Sequence, residues 1–396
     1  MDKIRTYSLD VDWERVHVMY NKYAKRFPES KYRMTELLKQ CPEATHRLIF
    51  GQRGPGKTTS TYVFMFCLYK LFRAQTGYIM RYAEDLRGGL ADDLFTEFEK
   101  LPYIREIFKD EKWTEVVWIP YRKGYEKGWY LARRDEETGA LIYDTQPFMR
   151  PFALTKSSSY KGRGYPNIAL IFFDEFMPEN KIYLQNEFSA LNSIISTIRR
   201  DRTYVRVIMC ANAIDKNCMY FYDFGISSAL DQEIASICLY TKGNIPASEL
   251  SFAVERTDIV KNDKVNNFFA FNDNNSKMIT SGEWDLEEYP HLPCKYCEAD
   301  IVFIYFIIHR DRIYQCEIIR KNGQYFTYIH RKTSDIKDMN KDIIFSKDPT
   351  ERMNIRRNIN HPFDNIGKKI WYFFSIDKVF YQDNTVGNAI DNFING

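Results

Sequence analysis

Nine residues, GQRGPGKTT (Gly51–Thr59), put three glycines and a proline beside a lysine and two threonines. HRLIF (46–50), a short apolar run, precedes them and predicts a strand. STYVFMFCLYKLF follows and predicts a helix. The spacing Gly51-x4-Gly56-Lys57-Thr58 is that of a phosphate-binding loop. Glycines such as Gly51, Gly54 and Gly56 let main-chain N–H groups curl around a β-phosphate, and the helix N-terminus behind them adds partial positive charge. Lys57 then reaches the β- and γ-phosphates, the Thr58 hydroxyl ligates Mg2+, and Thr59 completes the cradle. The chemistry is binding of a nucleoside triphosphate, ATP with Mg2+.

Hydrolysis needs a second, distant part. IALIFFDEF (168–176) is a continuous apolar run ending in two carboxylates, as expected of a strand buried on both faces. Asp174 at its end suits the magnesium ion, and Glu175 can polarise an attacking water. Arg53, inside the loop, can contact a γ-phosphate or pair with Glu175. Asn212 ends the apolar run VRVIMCANA and can sense the γ-phosphate; a plain turn asparagine is the alternative. STIRRDR closes an amphipathic helix with Arg199, Arg200 and Arg202. They read either as cations capping a helix C-terminus or as containing an arginine finger, which a neighbouring subunit often supplies.

These residues need a scaffold. Strands at 46–50, 77–83, 168–176 and 205–213 alternate with helices at 57–74, 84–101 and 186–202, which predicts an α/β fold with a mainly parallel sheet. The first 45 residues read as helical. Residues 114–154 cluster β-formers between turn signals, as in an inserted β-meander. SSSYKGRGYPN (157–167) reads as a loop. Beyond about 225 the alternation fades. The expected division is an ATPase domain at 1–225, a linker at 226–250 and a smaller α+β domain at 251–396. In the latter, RKNGQ predicts a hairpin turn and PTERMNIRRNI a helix.

At 396 residues with 44% hydrophobic content the chain is long enough for two cores. Net charge is only +3, so nucleic-acid contacts would be local. Counted along the sequence, residues 1–225 carry +6, 226–300 carry −7 and 301–396 carry +4, which points to separate modules. No run is long and apolar enough for a membrane span. With no export signal at the N-terminus, the eight scattered cysteines read as reduced cytosolic thiols.

GQRGPGKT, YPNIALIFFDEF, NEFSALNSIISTIRRDRTYVRV and CANA follow one another as in a known family. The sequence resembles the DNA-packaging ATPases, or encapsidation proteins, of phi29-like phages. The match is good from about 46 to 215 and weak but collinear beyond; it does not clearly cover 114–154 or the N-terminus. The resemblance implies a P-loop motor of the additional-strand, catalytic-glutamate class. Such a motor works as a homopentameric ring at the portal (connector) of a prohead, driving double-stranded DNA inward with ATP, in the host cytoplasm and not secreted. It implies Lys57 and Thr58 as phosphate and magnesium residues, Asp174 as the magnesium carboxylate and Glu175 as the base. Arg200 becomes a trans-acting finger and Lys161, in SSYKGRGYPN, a second trans-acting cation.

The second domain would then resemble an RNase H-like nuclease that has lost its chemistry. Related terminases cut with carboxylates around two metals. Here Asp300 and Asp311 flank the first apolar run with no third acid in pattern. Arginines of RMNIRRN and IIRKNGQ would contact phosphates of DNA or of a structural packaging RNA. Cys294-x2-Cys297, with His291, His309 and Cys316 around it, is half a zinc site at most. The alternatives are a terminase with an active nuclease and, in another class, a nucleotide switch or partition ATPase that does not translocate DNA.

Overall fold

An apolar run without alternation is stable only where both its faces are covered, and the chain provides that cover. The strands are β1 (His46–Gly51), β2 (Gln75–Met80), β3 (Glu115–Ile119), β4 (Gly128–Arg134), β5 (Leu141–Tyr143), β6 (Met149–Ala153), β7 (Ile168–Asp174), β8 (Arg206–Asn212), β9 (Ser236–Thr241) and β10 (Ser251–Arg256). In the computed structural model they form one sheet of order β3-β4-β6-β2-β7-β8-β1-β10-β9, with β5 beside β4. The six central strands, β6 through β10 in that order, pair in parallel. The structure describes residues 9–28, 31–86, 89–178, 183–212, 218–258, 289–310, 312–347, 352 and 354–395.

On one face lie α1 (Trp13–Ala24), α2 (Thr35–Gln40) and α3 (Lys57–Phe72). Helix α3 is apolar nearly all round because it is covered twice, by the sheet and by α1. Trp13 stacks on Phe64, and Tyr20 Oη lies 2.6 Å from Ser60 Oγ. Tyr78 and Phe172 point into that core, so Gly77 faces the other way. There a Cβ on Gly77 would touch Ile198 of α8 (Glu187–Arg199) at 3.3 Å. Helix α8 therefore covers the opposite face.

Several expected boundaries move. Residues 84–101 are not one helix but short turns, among them α4 (Leu90–Asp93) and α5 (Thr96–Glu99). The reason is Gly89, at φ 92°, which breaks the run. Helix α6 (Tyr103–Ile107) begins after Pro102. Residues 114–154 hold the expected inserted strands, with β3 and β5 antiparallel to β4, but the insert is part of the main sheet: β6 adds alongside β2, and β4 joins it at Trp129 and Met149. The loop at 157–167 opens with one helical turn, α7 (Ser157–Tyr160).

The boundary expected at 225 is corrected too. SICLYT and SFAVER pair with each other, and β10 pairs in parallel with β1. The 226–250 stretch and β10 therefore belong to the first unit, which comprises residues 1–214 and 226–283; the second comprises 215–225 and 284–396.

The second unit contains α9 (Met219–Asp223), β11 (Ile301–His309), β12 (Arg312–Lys321), β13 (Gln324–Lys332), β14 (Ile344–Ser346), β15 (Ile355–Arg356), α10 (Asn365–Ser375), β16 (Val379–Tyr381) and α11 (Asn384–Asn395). Its sheet has order β15-β14-β11-β12-β13-β16. Strands β11, β12 and β13 are antiparallel neighbours, whereas β14 runs parallel to β11. Asn322 and Gly323, at φ 51° and 79°, make the expected turn between β12 and β13. The expected helix at 349–359 is not found over its described residues: 354–359 contain β15, and most of the remainder lies outside the described residues. Ile370 of α10 and Val386, Ile390 and Phe393 of α11 pack on Tyr305, Ile307, Cys316 and Ile329.

Gly51, at φ 153°, ends β1 where a Cβ would stand 2.1 Å from Thr257 Oγ1. Gly51→Ala should therefore cost about 1–3 kcal/mol, the usual penalty of forcing an extra methyl into a packed site. Adding Thr257→Ala should restore part of the loss; denaturant unfolding of both variants measures it.

Candidate active site

Each central strand delivers its last residue to one edge of the sheet. Gly51 and Asn212 are register partners there, and Asp174 is opposite Cys210 one strand further on. β8 thus lies between the strand feeding the glycine loop and the strand ending in the acid pair. The loop turns into α3 through Gly56, whose φ of 100° and ψ of 30° cap the helix in a conformation a side chain would resist. Arg53, Gly54, Gly56, Lys57, Thr58, Asp174, Glu175, Ala211 and Asn212 line one cavity of about 260 Å³. That is smaller than the roughly 300–1,000 Å³ of whole-ligand pockets and suits the phosphate tail of a nucleotide.

Lys57 is buried, and its ammonium donates to Gln52 O at 2.6 Å, Gly51 O at 3.4 Å and Asn212 Oδ1 at 3.5 Å. Burial draws its pKa down to about 8. Thr58 Oγ1 donates to Asp174 Oδ1 at 3.2 Å. Burial pushes the Asp174 pKa up to about 7; the Thr58 hydrogen bond opposes this and the neighbouring Glu175 charge adds to it. A carboxylate so short of compensation, beside a hydroxyl, is a hard-oxygen donor set that fits Mg2+. Glu175 is exposed, lines the cavity and takes a φ of 56°.

The other expected residues stand elsewhere. Helix α8 links two parallel neighbours, so it runs back from the acid-pair edge to the opposite edge. Its thirteen residues span about 20 Å, and Arg200 follows at the far end. Arg200 is exposed and donates from Nη2 to Arg163 O at 2.7 Å. Lys161 is exposed beside α8, in a hollow shared with Ser158, Asn186, Ser189 and Ser193. Neither lines the cavity of its own chain. Arg202 bonds Pro166 O and Ile168 O, and Arg199 bonds Glu249 O, so both tie loops in place.

Sequence reading missed Arg81 and Glu187. Arg81 ends β2's edge of the site, with Nη1 on Glu175 O at 2.6 Å and Nη2 on Phe176 O at 2.7 Å. Its guanidinium also pairs with Glu187, the first residue of α8 and fully buried, at 3.1 Å. A charged residue closing the apolar run GYIMR was the available signal.

In the second unit, Asp300 is held by Lys321 at 2.6 Å and by Cys297 N at 2.9 Å. Asp311 lies outside the described residues. Arg356 pairs with Asp364 at 2.5 Å, whereas Arg320 and Arg357 are exposed. No group of three His, Cys, Asp or Glu side chains able to hold a metal occurs among the described residues, Cys294 and Cys297 included. Among them, too, no helix is long and apolar enough to cross a membrane.

Asp174 changes from an unfolded pKa of 3.8 to about 7, so folding takes up a proton and stability falls as pH rises through that window. Without nucleotide or metal, Asp174→Asn should stabilise the chain by about 1–3 kcal/mol at pH 7.5 and by almost nothing at pH 3.5. Denaturant midpoints at the two pH values measure the difference.

Residues 148–273, about a third of the chain, match the model of the podovirus DNA encapsidation protein family; the matched stretch holds the acid pair, Lys161, Arg200 and Asn212 but not the glycine loop. DNA packaging proteins of Bacillus phages PZA and phi29 are each 28% identical over 182 residues, 45% of this chain and 46% of theirs. The chain thus spans about half the length of the curated relatives it matches. Among solved structures, the phi29 viral genome packaging motor assembly superposes with a TM-score of 0.55 at 17% identity, over 92% of this chain and all of that one. The phi28 gp11 DNA packaging motor gives 0.54 at 14% identity, over 92% and 97%. The resemblance read from the motifs is therefore shown, by sequence over part of the chain and by fold over nearly all of it.

Proposed function

We propose that this chain is the ATP-hydrolysing subunit of a viral motor that drives double-stranded DNA through a portal into a prohead. The observation that carries the reading is the single cavity joining Lys57 and Thr58 to Asp174 and Glu175, with Thr58 Oγ1 on Asp174 Oδ1. A loop, a strand-end carboxylate and a following glutamate are what phosphoryl transfer to water requires. The position of β8 between β1 and β7 supports the additional-strand, catalytic-glutamate class. In the second unit, three antiparallel strands with a parallel fourth and fifth on the first strand's side support the RNase H-like reading. Strand β11 carries no carboxylate, which favours a motor without nuclease activity.

Lys57 exchanges its carbonyl partners for the β- and γ-phosphates. Thr58 and Asp174 would hold Mg2+, which neutralises phosphate charge when bound. Glu175 orients the attacking water, and Asn212, already against the lysine, registers the terminal phosphate; Arg53 faces the same phosphates. Because Arg200 stands about 20 Å along α8 from its own cavity, it serves the next subunit, with Lys161. Hydrolysis then requires an assembled homo-oligomeric ring, a pentamer on the phage pattern. The linker expected at 226–250 contains β9 and leads into β10 inside the first sheet. Motion passes instead through Thr257, whose N–H donates to Phe50 O at 2.9 Å beside the loop. Exposed Arg320 and Arg357 are proposed to meet phosphates of DNA or of a structural RNA.

Lys57→Ala and Arg200→Ala should each reduce DNA-stimulated ATPase activity by about 100-fold or more. Mixed in equal amounts, they should recover up to about a quarter of the wild-type rate, since a quarter of random interfaces pair an intact pocket with an intact finger. No recovery on mixing, or turnover indifferent to double-stranded DNA, refutes the proposal in favour of an isolated nucleotide switch. Grip on DNA should weaken steeply with salt, as phosphate contacts require; a flat salt dependence contradicts it.

A further inference from the structure

We infer that Arg81 positions the hydrolytic turn and, through Glu187, joins that turn to the helix whose far end presents Arg200. This rests on the motor reading above. Glu175 sits in the left-handed region at φ 56°, a conformation that persists in a non-glycine residue only where its surroundings hold it. The holding group is Arg81: one guanidinium edge takes Glu175 O and Phe176 O, at 2.6 and 2.7 Å. The same guanidinium is fixed by Glu187 Oε1 at 3.1 Å and Oε2 at 3.3 Å. Glu187 is also bonded by Leu184 N at 2.8 Å.

The Arg81 and Glu187 side chains are only 11% and 0% exposed. A buried pair of this kind is weak support for stability, because well-packed apolar side chains of similar volume serve as well or better. What a guanidinium adds is geometry: a planar fork that sets three partners at fixed angles. The Phe173 ring, 5.2 Å from the guanidinium, braces it. Those partners are the carbonyls flanking the catalytic turn and the first residue of α8. Arg81 is thereby the joint between the water-orienting glutamate and a rigid rod that ends at the finger. Its own carbonyl also accepts from Thr155 N at 3.2 Å, where the chain enters the 155–167 segment bearing Lys161. A shift of the Glu175 turn on nucleotide binding therefore moves the cations offered to the neighbour.

The test uses the purified full chain with double-stranded DNA, measuring steady-state ATPase and equilibrium binding of a fluorescent ATP analogue. Arg81→Met should lower kcat by at least tenfold while nucleotide affinity stays within twofold, which also reports an intact fold. Arg81→Lys, which keeps the charge but not the fork, should fall in between. The double variant Arg81→Met with Glu175→Gln should be no slower than Glu175→Gln alone, because the two act as one unit. Mixing Arg81→Met with Arg200→Ala subunits should recover less than half the activity recovered by Lys57→Ala with Arg200→Ala. Losses that multiply in the double variant, an unchanged kcat, or equal recovery on mixing overturn the inference. Should Arg81→Met fail to bind nucleotide, Arg81→Lys decides: a wild-type kcat overturns the inference, and a fivefold loss at unchanged affinity upholds it. A wild-type chain that does not hydrolyse ATP is a different result, which removes the motor reading itself.

Discussion

A half-buried carboxylate beside a phosphate-binding loop is the constraint on which the rest depends. Asp174 ends a strand buried on both faces, and its charge is supported by the Thr58 hydroxyl, the Glu175 N–H and the nearby Lys57, which do not outweigh burial. Lys57 is in the complementary position, a buried cation leaning on main-chain carbonyls. Both groups are poorly compensated in the free chain, and the ligand that would compensate both carries metal and phosphate together. On the proposed function, stability is given up at this edge of the sheet in order to leave a site that ATP would complete.

The sheet makes that arrangement possible and also makes it insufficient. Parallel strands bring loop, acid pair and Asn212 to one edge because each crossover helix starts there. The same rule sends the end of α8 to the other edge, so Arg200 is removed from the pocket it resembles a part of. The topology separates pocket and Arg200 within a chain, and on the proposed function it is assembly around a ring that would reunite them between chains. Thr257, packed against Gly51, sets the exit from β10 directly beside the loop.

Much of this was legible in the sequence because chemistry and punctuation coincide there. The spacing of Gly51, Gly56, Lys57 and Thr58 and the apolar run to Asp174 each identify a residue type and a strand end together. Legibility ended where partners are distant or patterns weak. Arg81 and Glu187 lie 106 positions apart, and neither belongs to a motif that spacing alone defines. SICLYT and SFAVER are six-residue strands, too short for periodicity to announce, so the first unit extended past its expected end. In 84–101 a glycine outweighed a helical pattern. Arg356, which read as a phosphate contact, is occupied by Asp364, a pairing that only the folded unit brings about.

The most direct measurement is calorimetric titration of the purified chain with ATP, with and without Mg2+, in wild type and Thr58→Ala. The account predicts that wild type binds ATP more tightly when Mg2+ is present, and that the metal-dependent increment disappears in Thr58→Ala. ATP binding that ignores both the metal and the substitution, or no binding at all, would contradict it.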